Sequence, residues 1–234
     1  MRILTLQTWK LQHGSGLGVV GAVLYLQPAL FDGRNNCAWS TAGCRAACFP
    51  SSGRMAMPKA AGARAWRTRL LREDPATFWR EIRAGIRNLE RRAAEARAVP
   101  CVRLDGTSDL DLAARVAAEF PGVRFVDYTK SERRMLEWLA APRSNRWLTY
   151  SRSESNDAAC ERVLAAGGNV AAVFSTRKGE PLPKTWNGRR VIDGDSHDWR
   201  FLDQRRGRSL IVGLRAKGKA RQDRTGFVIQ LSQH

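Results

Sequence analysis

A regular alternation of short apolar runs and helix-like segments, which begins near residue 100, constrains the fold of this chain more than any other feature. The runs start roughly 20–24 residues apart. Each is apolar almost throughout, which is typical of strands buried on both faces of a parallel sheet. Helix-like segments at 109–120 and 155–166 lie between them. The predicted strands are 101–105, 123–128, 147–151, 169–174, 190–193 and 209–214.

The amino-terminal part of the chain adds one strand and two long helices. Residues 19–26 (VVGAVLYL) are interpreted as a buried strand, and residues 58–72 as a helix. A second helix is predicted to begin after Asp74, which can cap it with proline at the first helical position, and to run to about residue 97. With about seven strands and no linker, residues 1–234 are predicted to form a single α/β domain. We expect a parallel, TIM-like (β/α) barrel or partial barrel.

Three cysteines lie on a loop rich in Gly, Ser, Thr and Asn, at residues 32–54. Six residues separate Cys37 from Cys44, and three separate Cys44 from Cys48. Thiolates are soft ligands, so three on one loop can hold a zinc ion or three irons of a cluster. The alternative is that they are small core residues. The candidates for a fourth ligand are His13, Cys101, Cys160 and His197. The fourth coordination position could also stay open. Cys101 and Cys160 fall within a predicted strand and helix, where a core role is the simpler interpretation.

The cysteine count bears on the compartment. Five cysteines is an odd number. The first residues are too polar for a secretory signal, and no apolar run is long enough to span a bilayer. We therefore expect a cytoplasmic protein whose thiols stay reduced and available to metal.

The charge balance bears on the partner. The chain has 40 Lys and Arg, mostly Arg, against 22 Asp and Glu, for a net charge of +18. A field of this size favours a polyanion, and we expect nucleic acid, DNA in preference to RNA, rather than a membrane. An arginine-rich genome would explain the use of Arg over Lys, but not the excess over acids.

Polar residues follow nearly every predicted strand. Because the carboxyl ends of parallel strands meet at one edge, we expect one functional rim that also holds the cysteine loop. Three aspartates are candidates for acid–base or nucleophilic catalysis: Asp105, Asp127 and Asp193. Asp127 is expected to face the barrel interior. Candidates for binding a cofactor are Tyr128, Lys130, Ser151 and Arg152. The alternative is that these side chains cap helices and form turns.

The carboxyl-terminal segment 200–224 is strongly basic, with nine Lys or Arg. Glycines between its cations allow the backbone to approach a phosphate, so we predict nucleic-acid contacts here. A solvated charged face is the alternative. The candidate contact residues are Arg205, Arg206, Arg208, Arg215, Lys217 and Lys219.

Several motifs together resemble a known family. NNCAWSTAGCRAACFPSSGR, VRLDGTSDL, EFPGVRFVDYTKS and TYSRSE, in this order over roughly residues 25–154, resemble the phage gene product 88 family. That family is similar to radical S-adenosylmethionine proteins, which use a partial βα barrel and a three-cysteine cluster after the first strand. By this resemblance Cys37, Cys44 and Cys48 would hold three irons of a 4Fe–4S cluster, and the fourth iron would chelate S-adenosylmethionine. The cysteine gaps here differ from the usual gaps of three and two.

The chain also resembles, at the level of the fold, the deazaguanine DNA transglycosylases and tRNA-guanine transglycosylase. Those enzymes exchange a guanine base through an aspartate nucleophile and keep a structural zinc. By that resemblance Asp105 or Asp193 would be the nucleophile, and the cysteines would bind zinc. The expected function is thus base modification of nucleic acid by a phage- or prophage-encoded enzyme of radical type. The alternatives are a transglycosylase and a non-enzymatic, zinc-stabilised nucleic-acid-binding protein.

Overall fold

The computed structural model describes residues 2–6, 16–31, 33–142, 145–203 and 209–231. Four predicted site residues lie outside these ranges: the candidate ligand His13 and the candidate nucleic-acid contacts Arg205, Arg206 and Arg208. The described α-helices are α1 (Ala42–Ala46), α2 (Pro58–Glu73), α3 (Pro75–Glu95), α4 (Glu132–Ala140) and α5 (Asp157–Ala165). The strands are β1 (Val19–Val23), β2 (Leu30–Phe31), β3 (Arg34–Asn35), β4 (Val99–Arg103), β5 (Arg124–Thr129), β6 (Arg146–Ser151), β7 (Val170–Phe174), β8 (Thr185–Trp186), β9 (Arg189–Asp193), β10 (Ile211–Arg215) and β11 (Val228–Ile229).

Nine strands pair into one sheet in the order β1-β4-β5-β6-β7-β10-β9-β8, with β11 on the second half of β7. Every pairing along this path is parallel except that of β8 with β9. The predicted α/β class is confirmed, and so is each of the seven predicted strands. The order is not a simple progression, because β10 enters between β7 and β9. Within the described part of the chain, no pairing joins the two ends of the path, so closure into a barrel is not shown.

Helices α3, α4 and α5 pack on one face of the sheet. Helix α3 begins as predicted, with Asp74 accepting a hydrogen bond from the Thr77 N–H at 3.0 Å. Its apolar residues repeat at helical spacing and are fully buried against β1, β4 and β5: Phe78, Ile82, Ile86 and Leu89. Helices α4 and α5 cover β6 and β7 through a second cluster that includes Met135, Trp138, Cys160 and Val163. None of the described helices is both long enough and apolar enough to span a membrane.

The opposite face of the sheet is covered by the segment around Trp199. This side chain is fully buried and packs with Val23, Cys101 and Val126. It lies so close to β1 that a Cβ added at Gly21 would stand 1.8 Å from the indole. Position 21 therefore needs glycine for close approach, and Cys101 is a core residue, as its place in a strand indicated.

The predicted helix at 109–120 is wrong. The chain there makes two short 3₁₀ turns, Leu112–Arg115 and Ala117–Glu119. Asp111 has a φ of +60°, in the left-handed region, and the Asp105 carboxylate takes the N–H groups of Leu110 and Leu112. A residue in the left-handed region cannot continue a right-handed helix, so the backbone at Asp111 overrides the helical spacing of the apolar residues.

Candidate functional site

The cysteine loop lies at the carboxyl end of the sheet, as predicted. The Cys37 thiol donates to the Thr107 carbonyl, just after β4, over 3.6 Å. The neighbouring Asn36 carbonyl accepts from the Asp109 N–H at 2.8 Å. Cys44 lies in α1, and Cys48 lies two residues beyond the end of that helix. All three thiols are partly buried.

One carboxylate holds this loop on the rim. Glu154, three residues beyond β6, accepts from the Thr41 hydroxyl and from the Gly43 N–H, each at 2.7 Å. The Thr41 hydroxyl in turn accepts from the Cys44 N–H and caps α1. Gly43 is needed for close approach, because a Cβ there would stand 2.2 Å from the Thr225 hydroxyl. The position of Glu154 at a strand end is visible in the sequence, but its anchoring role is not.

The three thiols share one electrostatic environment. Burial raises the pKa of Cys37 to about 11 and that of Cys48 to about 12, and charge on the other loop cysteines acts in the same direction. The positive charges of Lys130 and Arg64 partly oppose the rise in the pKa of Cys48. The Cys37 and Cys48 thiols are therefore protonated at neutral pH, and a thiophilic metal would have to displace these protons.

The donor set suits a metal, although it is not gathered into a ready site. Among the residues that the structure describes, no three His, Cys, Asp or Glu side chains are grouped closely enough to hold an ion. The loop cysteines would thus have to move together around one. Three thiolates suit either zinc or an iron–sulfur cluster, and they leave one position open.

The described candidates for a fourth ligand have other partners. Cys101 is buried beside Trp199, and Cys160 belongs to the core between α5 and the sheet. The His197 Nδ1 atom accepts from the Trp199 N–H at 3.2 Å and lies 3.0 Å from the Arg200 guanidinium. The structure thus places these three candidates in the folded core or in a turn.

Asp105 shapes the loop that follows β4. Its carboxylate accepts from the Ser108 hydroxyl at 2.6 Å and from the Leu110 and Leu112 N–H groups, each at 3.0 Å. Asp127 accepts from the Asp105 N–H at 2.9 Å. Burial raises the pKa of both carboxyl groups, more strongly for Asp127 because Asp105 is close.

The orientation of Asp127 differs from the prediction. It pairs in register with Leu148, which packs on the helix-covered side. Asp127 therefore lies on that side, and the expectation that it faces a barrel interior is wrong. Its parity with Phe125 was visible in the sequence, but which side the helices cover was not.

Asp193 and two predicted nucleic-acid contacts form an ion-pair cluster. Arg215 lies 2.8 Å from the Asp193 carboxylate and 3.3 Å from that of Asp195. Lys217 lies 2.6 Å from Asp195. These cations already have carboxylate partners, whereas Lys219 is exposed and has no ion-pair partner in the described ranges.

The four predicted cofactor-binding residues separate in the structure. Tyr128 lies beneath the Arg103 guanidinium, 4.5 Å from ring centroid to Cζ. The Ser151 carbonyl accepts from the Asn156 amide. The Arg152 guanidinium donates to the Asp157 carboxylate at the start of α5 and to the carbonyl oxygens of Gly226 and Phe227, just before β11. Lys130, by contrast, acts on the cysteine loop through its charge.

A cavity of about 460 Å³ opens beside the loop, between α4 and α5. Its lining includes Trp39, Lys130 and Tyr150. Trp39 was not predicted as a site residue, although its position between the first two cysteines was a signal in the sequence.

The comparison with protein families identifies the chain. A family model described as Gene product 88 matches residues 5–231. The chain belongs to the gene product 88 family. The resemblance predicted over residues 25–154 is confirmed, and membership of the gene product 88 family extends to the whole sheet from β1 to β11. Comparison with curated proteins and comparison with solved structures each gave no match.

Proposed function

We propose that this member of the gene product 88 family modifies bases in nucleic acid by means of a metal centre on Cys37, Cys44 and Cys48. The observation that supports the proposal best is that three thiols from one loop share an environment at the carboxyl rim of a parallel sheet. This is the edge at which α/β enzymes carry their reactive groups.

An iron–sulfur cluster is the form of the centre that we favour. Bound there, a cluster with three thiolate ligands would leave one iron open to an organic cofactor such as S-adenosylmethionine and would supply an electron to it. The chain's own part is to hold the loop through Glu154 and to place the Lys130 ammonium near Cys48. A cation there offsets the negative charge that three thiolates bring.

The charge of the chain supports a nucleic-acid substrate, with DNA favoured. At +18 the protein attracts a phosphate backbone, and affinity from this source falls steeply with salt. The 3₁₀ turn Gly218–Gln222, which carries Lys219, packs against the turn Phe49–Ser51 of the cysteine loop. Exposed cations therefore lie beside the proposed centre.

The transglycosylase alternative requires a carboxylate that is free to attack a sugar carbon. The oxygens of Asp105 are taken up by three hydrogen bonds, and Asp193 is paired with Arg215. These contacts favour the metal-centred proposal over base exchange.

Nucleoside analysis tests the proposal. The protein is purified and loaded with iron and sulfide without oxygen, reduced, and incubated with S-adenosylmethionine and DNA or RNA, and the digested nucleosides are analysed by mass spectrometry. We expect a nucleoside of altered mass with the wild type and with the core control Cys160→Ala, and none with Cys44→Ser.

Three results would contradict the proposal. A modification that survives Cys44→Ser would remove the metal centre from the reaction. Incorporation of labelled guanine into the nucleic acid would show base exchange. Loss of this incorporation in Asp193→Asn would then identify Asp193 as the nucleophile. Salt-sensitive binding with no altered nucleoside would indicate a binding protein.

A further inference from the structure

The cavity beside the cysteine loop has the features of a site for a planar, partly polar ligand. Its volume of about 460 Å³ lies within the range of about 300–1,000 Å³ that is common for small-molecule sites. Trp39 of the cysteine loop forms one side, and residues at the starts of α4 and α5 form the other. The cavity therefore lies between one part of the cysteine loop and the starts of these two helices.

Trp39 is more exposed to solvent than a tryptophan usually is in a folded protein. Half of its surface is accessible to solvent, although Trp is normally among the more buried residues. An indole that forms a cavity wall with an open face is suited to stacking against another aromatic ring. Stacking on aromatic side chains is the main way in which proteins hold unpaired bases.

The polar groups of the cavity suit a base that is attached to a phosphate. Lys130 has no carboxylate partner among the described residues, and its ammonium lies 5.7 Å from the Phe227 ring centroid. Burial raises the pKa of Tyr150 to about 12, so its hydroxyl is a neutral donor. That hydroxyl accepts from the Asn156 amide at 3.2 Å, and its own proton has no acceptor in the part of the chain that the structure describes.

The charged lining residues have a positive balance. Lys130, Arg133 and Arg162 oppose the single carboxylate of Glu132, and Arg162 holds that carboxylate through two hydrogen bonds. An anionic group at the mouth is therefore favoured over a cationic one.

We propose that the cavity receives one nucleobase unstacked from a nucleic-acid strand, with the base on the indole of Trp39 and its phosphate near Lys130. Trp39 is two residues from Cys37, and the charge of Lys130 reaches Cys48. A base held here lies next to the cysteines, as an enzyme that acts on a base requires. Only the chemical consequence of binding rests on the proposed function; base binding itself is independent of it.

Fluorescence anisotropy at fixed salt tests the site with two labelled probes, a short single-stranded oligonucleotide and an abasic strand of the same length. We expect Trp39→Ala to weaken binding of the oligonucleotide by about 5- to 150-fold, the loss that follows removal of one base–aromatic stack. Binding of the abasic strand is expected to stay unchanged, and Trp39→Phe to retain most of the affinity. Phe49→Ala is the matched control, because Phe49 is similarly exposed on the same segment but does not line the cavity.

Three results would overturn this inference: equal affinity of Trp39→Ala and wild type for the oligonucleotide, an equal loss for both probes, or an equal loss with Phe49→Ala. Competition by adenosine monophosphate or S-adenosylmethionine at concentrations similar to those of the oligonucleotide would instead assign the cavity to a free nucleotide or cofactor. A Trp39-dependent preference for the base-bearing strand, in a protein that modifies no base, would leave this inference standing while the proposed function fell.

Discussion

Replacing Glu154 with alanine removes the carboxylate that joins the cysteine loop to the segment after β6. Two hydrogen bonds are lost, from the Thr41 hydroxyl and the Gly43 N–H, each 2.7 Å long. Hydrogen bonds to a charged group contribute about 1.5–3 kcal/mol each. Glu154 is only partly buried, and water can replace part of this stabilisation. We therefore expect the free energy of local opening of the cysteine loop to fall by about 2 kcal/mol. Glu154→Gln keeps one acceptor oxygen and should lose about half as much.

The measurement is amide hydrogen exchange in the cysteine loop, which reports local opening. A loss of about 2 kcal/mol corresponds to about 30-fold faster exchange of the Gly43 and Cys44 amides, with little change in α3. The matched control is Glu95→Ala, which removes an exposed ion pair with Arg91 and should cost less than about 0.5 kcal/mol. Unchanged protection of the loop in Glu154→Ala would refute the claim that this carboxylate holds it.

Two further predictions concern buried aspartates. Asp105→Asn should lower the free energy of unfolding by about 2 kcal/mol in urea denaturation, because the amide nitrogen cannot accept the N–H bonds that Asp105 now takes; unchanged stability with lost activity would instead indicate a catalytic carboxylate. Burial raises the pKa of Asp203 from its ordinary 3.8 to about 6, although Arg200 lies 3.0 Å away. The folded state therefore keeps a proton that the unfolded chain releases, and the free energy of unfolding should fall as pH rises from about 4 to about 6. The contribution of Asp203 is the difference in slope between the wild type and Asp203→Asn, because the pKa values of Asp105 and Asp127 are also raised by burial; equal slopes in the two proteins would contradict this prediction.

The strands were predictable from the sequence because both faces of the sheet are buried. Apolar runs without alternation, as in Val170–Phe174, mark such strands whatever their neighbours are. The order of the strands is a different kind of information. Nothing local in Ile211–Arg215 indicates that it pairs with both β7 and β9, because neighbours are chosen by long-range packing.

The candidate site was predictable as far as residue chemistry allowed. The spacing of the cysteines and the position of their loop after β1 indicated a rim site, and Lys130 falls beside it. Asp105 shows the limit of this reasoning, because the same carboxylate at the same strand end can serve catalysis or take up backbone N–H groups. Only the positions of Leu110 and Leu112 show that it takes up N–H groups.

The metal content of protein purified without oxygen tests the central proposal most directly. We predict about four irons and four sulfides per chain after loading, with a brown absorbance near roughly 400 nm. The bound iron and sulfide should be lost in each of the variants Cys37→Ser, Cys44→Ser and Cys48→Ser. They should remain in Cys101→Ala and Cys160→Ala. One zinc per chain with no colour would contradict the iron–sulfur form. A chain that binds neither metal, or that keeps its metal when the three loop cysteines are replaced, would contradict the metal centre itself.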